Sequence, residues 1–569
     1  AASDVYKRQV YAYTEGNVQM RELFPVRGFQ ASSQPLLHFG FGQATTVDSL
    51  MILWPDGSFQ VEKNIPTGQQ LLVKKQQTRP YDYTALHARV ATPVFKKVDG
   101  NLGIDFIHEE DKYTDFNREK LLPYSLADRG PAFARGDLDG DGREDLYFGG
   151  SKRKPSRVYL QRDTTFIEQF YPGLQNDSVP EEVTAAVADF NGDEKSDLII
   201  GVGGNDFFGK AEPLLDRYFQ GIATDFEQLP FPENFANTAV LRPFDFDQDG
   251  DLDLFVGNQG ITGQFGAQPD SYLLENNRGE FKIREDFPGN GLGMVTDALW
   301  SDFDGDGNTD LIVVGEWMAP RFFRNENGIF KGSDTGPSGL WQALAPFDMD
   351  QDGDMDYVLG NWGLNSKFSA SRDAPLVMYF SDFDANGSTE TVVAISKDGA
   401  YYPLVGLDEL GSQMVMLRRK YPSYRAFAGR SVAEIFTPEQ LEKAELREAT
   451  ELGSGYLKNE NGKFVFHPFP PALQTAPLMA FHVFDYDGDG IMEVLAGGNY
   501  FGVKPYQGRF DAFPGALIKG EQDVSMGNQI GLDFMNKSIR HLTVIQIDNQ
   551  PYLLAVFNDA AAEVYQLTN

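Results

Sequence analysis

The 569-residue chain contains no cysteine, which excludes disulfides, thiolate metal sites and a cysteine nucleophile. Histidine is scarce. The six (His38, His87, His108, His467, His482 and His541) form no H-E-x-x-H pair and no cluster, so a zinc hydrolase lacks its ligands. No G-x-S-x-G elbow, Walker A loop or Rossmann glycine pattern occurs, and with them go the common nucleophilic and nucleotide-binding devices. No apolar run reaches the roughly 18 residues of a spanning helix, so no membrane insertion is expected. Positive charge is also short: 49 Lys and Arg stand against 83 Asp and Glu, a net −34. Such a chain repels phosphate backbones and anionic headgroups and attracts cations, so nucleic acid is not an expected partner. There is no initiator Met, and residues 1–9 carry no apolar segment. They read as a non-native, adaptor-derived leader on a fragment whose export signal lies elsewhere.

What the chain has is Phe (45), Tyr (24) and Gly (58), a composition that favours strands and turns over helices. One unit recurs: an apolar strand, a loop close to D-x-D-x-D-G-x-x-D, then a second apolar strand ending near Gly. The loops begin at 137, 189, 245, 302, 348, 382 and 485. Calcium takes six to eight hard oxygens in flexible geometry, and loop positions 1, 3, 5 and 9 supply them. The expected ligands are Asp137, Asp139, Asp141 and Asp145; Asp189, Asn191, Asp193 and Asp197; Asp245, Asp247, Asp249 and Asp253; and Asp302, Asp304, Asp306 and Asp310. The remaining loops offer Asp348, Asp350, Asp352 and Asp356; Asp382, Asp384, Asn386 and Glu390; and Asp485, Asp487, Asp489 and Glu493. About seven calcium sites are expected. The second and sixth are the weakest, because Asn191 and Asn386 replace charged ligands and the second loop lacks Gly at position 6. Strands flank the loops, which separates them from helix-flanked EF-hands.

Successive loops start 52, 56, 57, 46, 34 and 103 residues apart, a period that fits four-stranded propeller blades. Residues 542–558 repeat the strand–loop–strand unit without the acids. The expected fold is all-β, a seven- or eight-bladed β-propeller with calcium-binding loops over 94–569, preceded by a small β domain at 10–76 and a linker at 77–93. The 103-residue interval holds an expected helical insert at about 423–450. Its signals are a capping box at Thr437-Pro438-Glu439-Gln440 and a helix running on through Leu441 to Ala449.

These loops and strands resemble the FG-GAP or VCBS repeats of integrin-α-like propellers. Leu37-His38-Phe39-Gly40-Phe41-Gly42, followed by Val47 to Gly57 with its Trp54-Pro55-Asp56-Gly57 turn, resembles the ASPIC/UnbV domain; Phe41 stands where the family has Leu. The resemblance implies large surface or secreted proteins of marine Bacteroidetes-type bacteria, with a further propeller before residue 1. It leaves the molecular function open.

A second pattern lies where each second strand ends. Asn205, Asn258, Glu316, Asn361, Asn499 and Asn558 follow these strands, with Trp317, Trp362 and Tyr500 beside them. Equivalent positions of a propeller fall on one rim, and amides next to aromatics suit sugars. The chain therefore reads as an extracellular or cell-surface, calcium-dependent binding or scaffold protein for glycans or cell-surface proteins, not an enzyme. The alternative is a secreted polysaccharide lyase or hydrolase on the same scaffold. A glycan array with and without calcium, beside a turnover assay, separates the two.

Overall fold

A computed structural model describes residues 9–14, 17–24, 29–32, 34–81, 93–521 and 523–568. The expected leader therefore lies almost wholly outside the described residues, as does most of the expected linker. The chain is all-β, 41% strand and 10% helix, and divides into two units, residues 1–91 and 92–569.

The first unit is one antiparallel sheet ordered Asn17–Glu22, Gln9–Thr14, Thr46–Leu53, Ser58–Pro66 and Arg79–Pro80. Its central hairpin turns at Trp54-Pro55-Asp56-Gly57. There Gly57 N–H donates to Trp54 O at 3.0 Å, and Gly57 takes φ 77°, which a side chain would resist. The sheet includes Arg79–Pro80, so it runs past residue 76, the expected domain end.

The second unit contains eight small antiparallel sheets. Sheet one is Phe133–Gly136, Asp145–Phe148, Arg157–Arg162 and Thr165–Gln169. Sheets two, three and four repeat the pattern in consecutive strands, starting at Glu181–Ala188, Asn237–Phe244 and Met294–Ser301. Sheet five is split. Ala343–Pro346 and Tyr357–Gly360 pair onward with Gly455–Asn459 and Phe464–Pro468, and the intervening chain forms a sheet of its own from Leu376–Ser381, Glu390–Lys397, Ala400–Pro403 and Glu445–Ala449. The sixth acidic loop sits on this inserted sheet, which accounts for the irregular 34- and 103-residue spacings. Sheet six starts at Leu478–Phe484. Sheet seven joins Ser538–Ile547, Gln550–Asn558 and Glu563–Leu567 to Phe95–Lys97 from the other end of the unit.

The second strand of each sheet is packed on both faces, so it reads as an apolar run without alternation. Asp253–Gly260 and Asp310–Met318 are buried at every position. Neighbouring sheets approach closely at glycine: a Cβ on Gly257 would fall 2.5 Å from Val240 Cγ1 and 2.7 Å from Val295 Cγ1.

The helical insert differs from the expected one. It begins earlier, with Leu407–Gln413 and Val415–Lys420, and its last helix, Pro438–Lys443, keeps the capping box but stops there. Residues 445–449 are a strand paired with Leu376–Phe380. The backbone partners offered by the inserted sheet outweigh a helical propensity worth only tenths of a kcal/mol per residue, roughly. Leu410, Met414, Leu417, Val432 and Ile435 pack on Val377, Val392 and Ala394 of that sheet.

Candidate metal centres and the covered face

Each acidic loop folds on its own backbone. Asp137 Oδ1 accepts from Gly140 N and Asp141 N at 2.8 and 3.0 Å, and its Oδ2 accepts from Gly142 N at 2.8 Å. Asp302 repeats the pattern with Gly305, Asp306 and Gly307. Position 6 needs left-handed backbone: Gly142, Gly250, Gly307, Gly353, Gly387 and Gly490 all lie between φ 82° and 98°. The second loop forces Glu194 to φ 68° instead, a strain of about 1 kcal/mol.

The acid at position 9 has a structural role besides. Asp145, Asp253, Asp310 and Asp356 are buried. One oxygen of each accepts from the N–H of loop position 2, the other from the third strand, as at Gln161 (2.8 Å), Asn276 (2.9 Å), Asn325 (2.8 Å) and Asn459 (2.7 Å). Burial pushes Asp145 and Asp310 up to about 6, and Asp253 and Glu390 up to about 7.

Whether these donors fit a metal is answered by their convergence. Carboxylate oxygens of Asp137, Asp139 and Asp145, of Asp245, Asp247 and Asp253, and of Asp302, Asp304 and Asp306 lie within 4.8 Å of one another in each group. So do those of Asp348, Asp350 and Asp356, and of Asp485, Asp487, Asp489 and Glu493. All are hard oxygens, which suits a divalent cation of the calcium or magnesium class and no softer metal. Basic side chains reach several loops: Arg162 contacts Asp139 and Asp141, Arg324 contacts Asp304 and Asp306, Lys458 contacts Asp350, and Lys519 contacts Asp487. Among the described residues, no ion pair reaches the acids of the third loop, and burial together with the Asp249 charge pushes Asp247 up.

The expected ligand-binding rim is corrected by the structure. Asn205, Asn258, Glu316, Trp317, Asn361, Trp362, Asn499 and Tyr500 are at most 4% exposed, so they present no open face. The chain covers much of this rim with residues 104–131. Tyr124 accepts from Trp317 Nε1 at 3.1 Å, and its ring lies 4.5 Å from that of Trp362 at a tilt of 34°. Tyr500 Oη donates to Ser125 O at 2.7 Å. Glu316 accepts from Arg129 at 2.9 Å, Asn205 donates to Glu119 at 2.9 Å, and Asn558 donates to Glu110 at 2.7 Å. Asn258, Asn361 and Asn499 bond within their own sheets' loops, for instance Asn499 Nδ2 to Phe513 O at 2.9 Å. The signal for this cover was the apolar stretch Leu121-Leu122-Pro123-Tyr124-Ser125-Leu126-Ala127 just before the first repeat.

The sequence reading also missed a cavity of about 390 Å³ lined by the first strands of sheets one to seven. Arg129, Arg135, Arg242 and Arg540 line it, and Asp297 is its single carboxylate. Arg242 pairs with Asp297 at 2.5 Å, and Arg135 pairs with Glu144 at 3.0 Å. Arg540 donates to Ser538 Oγ, Ile539 O and Asp128 O. Its Nε is buried without a partner, as is that of Arg129. Among the described residues no carboxylate comes within 4.0 Å of Arg540, and burial pushes its guanidinium down to about 10.

Residues 5–80 match the family model for ASPIC and UnbV, and residues 137–200, 245–313 and 302–359 match that for the FG-GAP-like repeat. The chain thus carries the two elements that its residues resembled. Cartilage acidic protein 1 of Homo sapiens is 25% identical over 387 residues, 64% of this chain and 54% of that protein. The Xenopus tropicalis protein of the same name is 27% identical over 360 residues, 59% of this chain and 49% of that one. The chain spans about half the length of these curated relatives. Among solved structures, the V. cholerae biofilm matrix protein Bap1 is a distant likeness, with a TM-score of 0.38 and 11% identity over 84% of this chain and 91% of that one. No helix among the described residues is long and apolar enough to cross a membrane.

Proposed function

We propose that this chain, an ASPIC/UnbV segment joined to FG-GAP-like repeats, is a calcium-stabilised, seven-bladed propeller that works outside the cell as a binding module for acidic glycans. The blade count is supported by strand order. First strands of consecutive sheets adjoin from sheet one to sheet seven, and sheet seven packs back on sheet one through Ile545 and Val556 against Leu146 and Phe148. Phe95–Lys97 completes sheet seven from the opposite end of the unit, the kind of closure that leaves a ring without a free edge. The sixth acidic loop then belongs to a decoration of blade five, not to a blade.

Calcium is favoured over magnesium because the loops offer carboxylate-rich, flexible cages, whereas magnesium demands near-octahedral geometry and keeps its waters. Exposed loops with partial substitutions fit the weak affinities of extracellular modules, roughly 10⁻⁴–10⁻³ M.

The observation that carries the ligand class is the arginine-lined cavity inside a strongly acidic chain. A buried guanidinium without a paired carboxylate is costly and is relieved by an anion from outside. Thr184, Thr296 and Gln342 on the wall suit hydroxyls. Catalysis is the less favoured reading. A glycosidase needs two carboxyl groups across the bond it cleaves, and Asp297 stands alone in the lining, engaged by Arg242. A glycan array of uronate-containing and neutral oligosaccharides, with and without calcium, tests the proposal. It expects acidic glycans to bind in calcium and neutral ones to be rejected. Release of reducing ends or unsaturated products would move the reading to an enzyme, and binding of cell-surface proteins alone would remove the glycan.

A further inference from the structure

Away from the acidic loops, three buried acceptor oxygens at the junction of residues 104–131 with sheet two have no hydrogen-bond partner: Asp115 Oδ1, Glu181 Oε1 and Asn205 Oδ1. Their residues are 1%, 5% and 1% exposed. They come from three places in the chain and are held firmly. The other oxygen of Asp115 accepts from Ser125 Oγ at 3.0 Å, Leu126 N at 2.7 Å and Ala127 N at 3.2 Å, which fixes the carboxylate and leaves Oδ1 free. Glu181 lies against Gly204, where a Cβ would fall 2.4 Å from its Oε2, and Asn205 is the next residue. The Asn205 amide is oriented by its bond to Glu119 at 2.9 Å. Asp128, one residue beyond the backbone that Asp115 holds, brings a further carboxylate.

Buried acceptors in native proteins find partners, and an orphan needs explaining. The nearby cations are engaged elsewhere: Arg118 donates to Asn205 O, Lys152 pairs with Asp206, and Arg540 donates to Asp128 O. Tyr113, whose buried hydroxyl also lacks a partner, has one proton to offer, which does not serve three acceptors. A water donates two. A proton on Glu181 donates to only one of Asp115 and the amide oxygen of Asn205. The oxygen-only, acceptor-only set of acids and an amide is what a hard divalent cation takes. Burial, then the charges of Glu110 and Asp128, pushes Glu181 well above the usual carboxylate range, as expected of acids crowded together in a buried place.

We propose that Asp115, Glu181 and Asn205, with Asp128 beside them, hold a divalent cation of the calcium type that pins residues 104–131 onto sheet two. The site lies outside the repeat loops. It makes the covering of the rim dependent on the cation: with the ion gone, the crowded acids must take up protons or repel the cover from sheet two.

Native mass spectrometry of the full chain in calcium alone, counting ions per molecule, tests this. Glu181→Gln, a near-isosteric change, is expected to hold one ion fewer than the unaltered chain. Asp304→Asn in the fourth loop loses a different ion, and the double variant loses both. Glu181→Gln should also melt lower than the unaltered chain in calcium, and the difference should vanish in chelator, where burial keeps Glu181 itself protonated. Asn205→Asp supplies the reverse test: it adds a buried carboxylate, which an ion tolerates and an empty cluster does not. An unchanged ion count in Glu181→Gln, or an Asn205→Asp variant equally destabilised with and without calcium, would overturn the site. The oxygens would then be satisfied by protons and water.

Discussion

The acidic loops and the covered face stand at opposite ends of the second strand of sheets one to six, and they were unequally legible. A loop is assembled from nine consecutive residues, so ligand spacing, the glycine and the flanking strands can all be read from one short window. The covered face is assembled across the chain: Tyr124 meets Trp317 from 193 residues away, and Tyr500 meets Ser125 from 375. The same side chains that looked like a sugar platform, Trp next to Asn, are packing residues once residues 104–131 lie over them. Composition at a strand end shows that a polar rim exists; only the fold shows what fills it.

The comparison predicts a large response from the loops. Ions that bind only the folded state stabilise it by mass action. Removal of calcium should lower the melting temperature by well over ~10 °C, given that each kcal/mol moves a large domain by only a few degrees. A melt unchanged in chelator, on protein shown to be metal-free, would contradict the loop assignment.

Next in size is the covered face. Trp362→Ala and Trp317→Ala should each cost about 3–5 kcal/mol, as truncation of a buried Trp does, with glycan affinity unchanged in the molecules that remain folded. Denaturant unfolding beside a binding titration checks this. Loss of affinity with stability intact would restore the rim as a ligand surface.

The loops should also set a pH dependence that calcium removes. Asp145 and Asp310 at about 6, and Asp253 and Glu390 at about 7, bind protons more tightly folded than unfolded. Between the ordinary carboxylate range and pH 7 or so, the unfolded chain therefore holds fewer protons, and stability of the metal-free protein falls as pH rises through those values. Calcium, which takes the ionised acids, should flatten or reverse that slope. Thermal melts at stepped pH with and without the ion read it directly, and a metal-free slope of the opposite sign would break the assignment.

Smaller still is the strain in the second loop. Glu194→Gly should raise stability by up to about 1 kcal/mol by relieving a left-handed non-glycine residue, while the same exchange at an ordinary surface position should lower it.

Legibility elsewhere followed the same division. Hairpins, the Trp54–Gly57 turn and the Thr437 capping box are local and were read from their residues. The split of sheet five is not local: Tyr357–Gly360 pairs with Gly455–Asn459 across almost a hundred residues, and nothing within either strand records the insertion between them. The helix expected through Ala449 stopped at Lys443 because Glu445–Ala449 found a strand partner. The arginine cavity could have been suspected from Arg135, Arg242 and Arg540, basic residues on first strands of an otherwise acidic chain. Gathering them into one wall still required the order of the sheets.

The most direct test of the account is a calorimetric titration of a uronate oligosaccharide and its neutral counterpart into the calcium-loaded chain and into Arg242→Gln, a change at the better exposed wall of the cavity. The account predicts heat from the acidic sugar alone, weakened by salt and reduced at least several-fold by Arg242→Gln in molecules shown to remain folded. Equal binding of the neutral sugar, or acidic binding indifferent to Arg242→Gln, would contradict it.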